Sequence, residues 1–175
     1  MLGYKILFYQ CLKCFPILKV KFSCGLPYTF SEIWGMEIDI KIIETDDDYQ
    51  SCLFIRKQVF IIGQNIPVEI ELDDDKIDAT YFLANLSGNP VGTARYRKTD
   101  FGIKLERFAV LENARNFGVG KALVLFIINY LKNEKNIYLN AQKSVIDFYA
   151  KLGFDSRGDI FFEAEIPHQK MVFSG

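Results

Sequence analysis

The chain of 175 residues has very little of what metal centres, membrane spans and nucleic-acid surfaces are made from. It contains one histidine, His168, which excludes a histidine-rich metal site. Of its four cysteines, three (Cys11, Cys14 and Cys24) fall in the first 35 residues. Cys11-Leu-Lys-Cys14 has the spacing of half a zinc or redox site, but the second ligand pair is missing. No metal is therefore expected, and the thiols read as reduced ones of a cytoplasmic protein. Lys13, Lys19 and Lys21 interrupt every N-terminal apolar run before it reaches spanning length, so no membrane partner is expected. A secretory signal is also missing, since there is neither a longer apolar centre nor a small-residue cleavage site. The formal charge is −1 overall, and residues 36–175 hold 17 basic against 21 acidic side chains. With no basic stripe, nucleic acid is not an expected partner. The acidic run Glu69, Glu71, Asp73, Asp74, Asp75 and Asp78 lacks the glycine and closing glutamate of an EF-hand, which excludes calcium there. It reads as a solvated loop, with attraction of a cationic amine as the alternative.

The chain does have apolar substance, 50% hydrophobic and 15% aromatic, enough for one domain with a real core. Residues 1–35 hold four lysines against one glutamate and show no clean periodicity, so they read as an N-terminal extension outside the folded domain of residues 36–175. Met36 is an alternative start. From there Ile38, Ile40 and Ile42 alternate with charged residues as a half-buried strand does, and Thr45 with Asp46–Asp48 caps a helix whose apolar face includes Leu53, Val59 and Phe60. Three strands follow, 79–86, 91–98 and 103–110, separated by turns at Ser87-Gly-Asn-Pro90 and Asp100-Phe-Gly102, which predicts an antiparallel meander. A helix from Asn116 to about Lys132, a strand over 136–141, a helix over 144–152 and a strand pair near 154–156 and 168–173 complete the reading. Internal repeats and low-complexity tracts are missing.

The most informative stretch is Glu106–Gly120, ERFAVLENARNFGVG, where an apolar strand runs through a short turn into a long apolar helix. The first backbone N–H groups of a helix have no internal partner and sit at the positive end of its dipole, so they can seat a phosphate. Gly118 and Gly120, lacking Cβ, let it come close. A P-loop is excluded because Ala122 follows Gly120-Lys121 where Ser or Thr is required and Arg115 replaces the first glycine. A dinucleotide fingerprint would need a third glycine where Leu123 stands. What remains, R-x-x-G-x-G after a strand, resembles the acetyl-CoA pyrophosphate loop of the GNAT superfamily of N-acetyltransferases.

The likeness extends along the chain. Phe148-Tyr149-Ala-Lys-Leu-Gly153-Phe154 is similar to the F-Y-x-K-x-G-F signature that closes the GNAT acetyl-CoA site. Ile55–Pro67, followed by Glu69, Glu71 and Asp73, resembles one subgroup, typified by the bacterial proteins ElaA and YjcF. The tail, Glu163-Ala-Glu-Ile166-Pro167-His168-Gln-Lys-Met171, resembles that subgroup's G-I-P-H-x-x-M ending. Two places depart from the pattern. Gly63 stands where the subgroup has Glu before Gln, and Thr80-Tyr81 stands near the place of a strand histidine.

The resemblance implies an α/β (α+β) GNAT fold, with a mixed, mostly antiparallel central sheet splayed in the middle and helices on both faces. It further implies that the backbones of Phe108, Ala109 and Val110 bond the pantetheine arm, and that Arg115, Asn116, Phe117, Gly118, Val119, Gly120 and Lys121 seat the diphosphate. Gln142 is a further candidate for orienting the thioester. The implied reaction is transfer of acetyl from acetyl-CoA to a primary amine of a small molecule or peptide, which needs a neutral amine, a donor to the oxyanion and an acid for the thiolate. Tyr149 is the candidate acid, packed aromatic being the alternative. With a phenol pKa of about 10 against about 8.5 for a thiol, full proton transfer is slightly uphill and its contribution modest. Glu106 is a candidate base, with a strand-edge salt bridge as the alternative, and parity places it on one face with Phe108 and Val110. His168 is the other candidate for moving a proton, with structural hydrogen bonding as its alternative. A competing function is a non-catalytic acyl-CoA-binding or protein-interaction module, and a second copy of the chain is a further candidate partner. Acyl-homoserine-lactone synthesis would require an acyl-carrier protein, for which no dedicated basic surface is seen.

Overall fold

A computed structural model describes the backbone of residues 19–22 and residues 37–72 and 78–175. The Cys11–Cys14 pair, the start at Met36 and the acidic residues Asp73, Asp74 and Asp75 lie outside the described residues. Strand β1 (Lys19–Phe22) runs parallel to β2 (Glu37–Ile42), so this part of the N-terminal extension adds a strand to the edge of the sheet.

In β2 the predicted alternation holds, with Ile38 and Ile40 fully buried. Thr45 then caps helix α1 (Asp46–Arg56), its side chain accepting from the Asp48 N–H at 3.2 Å, while Asp46, Asp47 and Asp48 complement the helix dipole in the first turn. The helix continues as a wider π-helical segment over Lys57–Ile62. Its buried face is Cys52, Ile55, Arg56, Val59 and Phe60, and Leu53, expected in that face, is only half-buried. A single turn, α2 (Val68–Glu71), follows.

Strands β3 (Thr80–Leu86), β4 (Asn89–Thr99) and β5 (Gly102–Val110) form the predicted antiparallel meander. Helix α3 (Val119–Tyr130) starts three residues later than expected, because Asn116 (φ 67°) and Gly118 (φ 84°) are left-handed and cannot continue a right-handed helix. Strand β6 (Ile137–Gln142), helix α4 (Ile146–Ala150), and strands β7 (Phe154–Glu163) and β8 (Ile166–Phe173) complete the chain. Strand β7 is far longer than the expected 154–156. It is an edge strand, exposed over most of its length and irregular between Arg157 and Phe161, so burial imposes little apolar alternation on its residues.

The sheet order is β1-β2-β3-β4-β5-β6-β8-β7. Helix α3 packs on one face over Ile38, Ile40, Phe82, Leu105 and Leu139, and α4 joins it through Tyr149. The α1–π helix covers part of the other face over Leu83 and Ala109. Two irregularities of β5 shape the middle of the sheet. Its parallel pairing with β6 lasts only from Ile103↔Ile137 to Leu105↔Leu139, after which both strands continue unpaired with each other. On its other edge, three residue steps from Glu106 to Ala109 lie opposite two steps on β4, from Arg95 to Thr93. The extra residue is a bulge at Arg107, which has φ 58°.

Candidate active site

Beyond Leu105 and Leu139 the two central strands part, leaving a wedge between the Arg107–Val110 stretch of β5 and the Asn140–Gln142 stretch of β6. The Leu111 N–H donates to Val91 O on the β4 side at 2.9 Å. By the alternation of a strand, the main-chain groups of Val110 and Phe108 then face the wedge, while those of Ala109 face its partner Thr93. Of the three residues expected to bond an inserted chain, two thus offer their backbone groups to the opening. At the wedge's edge the Val110 carbonyl accepts from Arg115 Nε at 3.4 Å.

The cradle lies next to this opening. Gly118 is the N-cap of α3 with no side chain capping it, and the first backbone bond back to it comes from Ala122. The N–H groups of Val119, Gly120 and Lys121 therefore point out of the helix end. A Cβ on Gly120 would lie 3.7 Å from Phe148 and 3.9 Å from Val110, ordinary contact distances. The protein's own packing thus does not demand glycine there, and the missing side chain leaves room for a ligand. At Gly118 the left-handed φ of 84° supplies an additional reason for glycine. Arg115, Asn116, Phe117 and Lys121 are exposed around this turn. These residues fit a diphosphate on donor geometry and space.

Tyr149 borders the wedge from the α4 side. Its ring is packed edge-on by Phe108 at 5.9 Å, Phe148 at 5.0 Å and Phe154 at 5.8 Å. Burial raises its phenol well above its ordinary value, so the hydroxyl keeps its proton and can act as a donor. Phe148 links this aromatic group to Gly120, and Phe108 links it to the strand that faces the opening.

On the opposite face the arrangement is ionic. Glu106, 10% exposed, lies 2.8 Å from Arg95 Nη2, 3.1 Å from Arg97 Nε and 3.3 Å from Lys104 Nζ. Burial pushes its carboxyl upward, but the charges of Arg95, Lys104 and Arg97 together outweigh it and hold the group below the ordinary carboxylate range. A carboxylate so engaged is a poor proton acceptor, and the geometry favours the ion-pair alternative. The parity expectation also fails. The bulge at Arg107 shifts the strand by one residue, so Phe108 and Val110 belong to the core beneath α3 while Glu106 faces the other side.

Glu71, expected in a solvated acidic loop, is instead 2% exposed. Its carboxylate accepts from fully buried Arg56 Nε at 2.6 Å and lies 3.2 Å from Arg107 Nε, and its carbonyl accepts from Arg56 Nη2. This joins α1, α2 and the β5 bulge through one anion. Tyr81, where the subgroup has histidine nearby, accepts from Arg95 Nη1 at 2.9 Å.

His168 pairs in register with Gln142 across β8 and β6. The Gln142 amide donates to Gln64 Oε1 at 2.9 Å, tying β6 to the end of the helical segment that contains Gly63. Near His168 are Asn140, which carries no obvious signal in the sequence, and Glu163, which opens the tail segment without an assigned role; the Asn140 amide donates to Glu163 Oε1 at 2.8 Å. Their relation depends on β7 reaching residue 163, which the short strand expected from the sequence did not anticipate. Gln142, Lys143, Ser144, Ile166 and Pro167 line an adjoining groove of about 420 Å³. No group of three or more metal-ligating side chains occurs among the described residues.

A sequence model described as the Acetyltransferase (GNAT) family matches residues 42–154. The uncharacterized N-acetyltransferase YjcF of Bacillus subtilis (strain 168) is 30% identical over 134 residues, covering 75% of this chain and 96% of that protein. Protein ElaA of Escherichia coli (strain K12) is 30% identical over 127 residues, covering 69% and 83% respectively. The crystal structure of Escherichia coli ElaA superposes with a TM-score of 0.68 at 26% identity, covering 77% of this chain and 99% of that one. An acyl-CoA N-acyltransferase from Pseudomonas aeruginosa shares the fold, with a TM-score of 0.69 at 21% identity over 80% of this chain and all of that one.

Proposed function

The chain belongs to the GNAT acetyltransferase family, in its ElaA/YjcF-like subgroup, and from that premise we propose that it moves acetyl from acetyl-CoA to a primary amine of a small molecule or peptide by direct attack. The observation that carries this reading is the parting of β5 and β6 beside the uncapped start of α3. Main-chain N–H groups of residues 118–121, with Arg115 and Lys121 as cationic flanks, hold the diphosphate. The edges of Phe108 and Val110 hold the arm as a neighbouring strand would. Asn116 and Phe117 shape the turn, Ala109 anchors the strand to β4, and Gln142 orients the thioester end.

Acetyl-CoA supplies an activated acyl carbon. The amine's lone pair forms the C–N bond, and the C–S bond breaks with its electrons on sulfur. Tyr149, protonated through burial, donates a hydrogen bond to that sulfur as charge develops. Its raised pKa makes full transfer of the proton less favourable than donation, so the thiolate finally takes its proton from water. His168 accepts the proton that the incoming amine must lose. Glu106 serves as the ionic anchor of β4 and β5.

The test is thiol release from acetyl-CoA across a panel of primary amines. The unsubstituted protein should turn over at least one of them. Tyr149→Phe should lower kcat about a hundredfold, the low end for a positioned acid because a thiolate leaves readily, with little change in acetyl-CoA affinity by calorimetry. Gly118→Trp should remove binding and turnover together. Binding of acetyl-CoA without acceleration by any amine would instead favour a non-catalytic acyl-CoA-binding module, the reading to which Gly63 lends weight.

A further inference from the structure

We propose that Glu163 and His168 form the seat of the acceptor's ammonium group, with Asn140 holding Glu163 in place. This rests on the amine acetylation proposed above and names its acceptor class, a primary alkylammonium. Asn140 is the first residue of β6 beyond the last pair with β5, at the vertex of the wedge. Its Nδ2 donates to Glu163 Oε1 at 2.8 Å, reaching past β8 to the end of β7. The other carboxylate oxygen, Oε2, lies 4.0 Å from His168 Nε2.

The tautomer follows from the second ring nitrogen. His168 Nδ1 is 2.8 Å from the Ile166 carbonyl, which can only accept, so Nδ1 carries the proton and the neutral ring presents a lone pair at Nε2. Phe161, stacked on the imidazole at 6.1 Å, fixes the ring plane. A separation of 4.0 Å is too long for the carboxylate and Nε2 to bond one another. It does suit a shared cation. A nitrogen placed about 2.8 Å from each acceptor would see them roughly 90° apart, open to two N–H bonds of one ammonium. Glu163 is 48% exposed on its side chain, which leaves an approach from solvent, whereas His168 is 10% exposed. The groove lined by Gln142, Ile166 and Pro167 has room for the rest of the acceptor.

In this seat the ammonium nitrogen gives one proton to Nε2. Glu163 stabilises the resulting imidazolium, and the nitrogen regains the lone pair that attacks the acyl carbon; its second proton leaves to water as the adduct collapses, and His168 returns the first to water after each turnover. An amine that is already neutral at pH 7 brings no cation for Glu163 to hold and has a single proton to lose.

Thiol release by the full chain and its Glu163→Gln variant tests the proposal, with butylamine and lysine ethyl ester as alkylammonium probes and methoxyamine as the neutral one. The expected result is a fall in kcat/KM of about ten- to a hundredfold for the alkylamines, largely through KM. Methoxyamine turnover should fall by much less, no more than about threefold, while acetyl-CoA affinity and Tm should hold. Asn140→Ala should give a smaller loss of the same pattern. Because the chain has one histidine, ¹⁵N spectra report its tautomer without assignment, and the proton should be on Nδ1. An equal loss for both classes of amine, no loss for the alkylamines, or a proton on Nε2 in the neutral ring would overturn the seat. If the unsubstituted protein turns over none of the amines, amine acetylation itself falls, and that failure is visible before any variant is made.

Discussion

The two sides of the central wedge are built from different materials. On the α3 side the site consists of backbone N–H groups, a glycine in a left-handed cap and a cluster of aromatic rings around Tyr149. On the α1 side it consists of charged and amide side chains held by one another, with Glu71 between Arg56 and Arg107, and Glu106 among Arg95, Arg97 and Lys104. A surface made from main chain tolerates many side chains and suits a ligand shared by a whole family. A surface made from interlocked side chains changes with each of them and suits an acceptor particular to this protein.

Breaking the ionic side should have the largest effect. Glu71→Ala leaves the fully buried guanidinium of Arg56 without its anion and releases Arg107, and it is expected to lower stability by about 3–5 kcal/mol. Denaturant unfolding would measure this. A loss below about 1 kcal/mol would mean that the ionic side is as tolerant as the other.

The backbone side should respond oppositely to a small change. Gly120→Ala adds a methyl group that the fold can accommodate at ordinary contact distances, so stability should hold or rise by up to about 1 kcal/mol from helix propensity. Acetyl-CoA affinity should nevertheless weaken about tenfold, because the methyl group occupies space left for the ligand. Calorimetry and a melting curve on one sample separate the two readouts. Unchanged affinity would show that the space at Gly120 is not used.

The smallest expected effect lies at the tip of the β7–β8 hairpin, where Ala164 (φ 47°) and Glu165 (φ 62°) both take left-handed conformations. Two-residue hairpin turns of this kind favour glycine, and glycine is the residue that the subgroup's ending has in place of Glu165. Glu165→Gly should therefore stabilise the protein by about 1 kcal/mol, read as a rise in Tm, with kcat/KM unaffected. A fall in Tm would show that the tip is held by more than its backbone preference.

The same contrast explains which parts were legible in the sequence. The strand, the turn and the start of α3 were legible because they are contiguous over Glu106–Gly120, and the aromatic signature around Tyr149 is equally local. The meander was legible from alternation and turn residues. The ionic side was not. Glu71 looked like one more member of an acidic run, and only folding brings it to Arg56 and Arg107, residues 15 and 36 positions away in opposite directions. Asn140 and Glu163 meet across an intervening strand, a relation that no spacing rule encodes. The face assignment of Glu106 failed because strand parity assumes an unbroken ladder, and a left-handed Arg107 has no distinctive signature among the residues around it.

The irregularity at Arg107 lets one ribbon serve two compartments. Upstream of it, outward positions supply a carboxylate to the charged chamber; downstream, the offset hands aromatic and branched side chains to the oily one and turns alternate amide edges, those of Phe108 and Val110, toward the cleft. Excising that single residue would transpose Phe108 onto the wrong surface and unhook Tyr149 from the opening, although every motif letter remained present. Under the proposed function, the spacing between the acidic anchor and the edge of Phe108 and Val110 is itself a functional element, as consequential as the identity of any side chain within it.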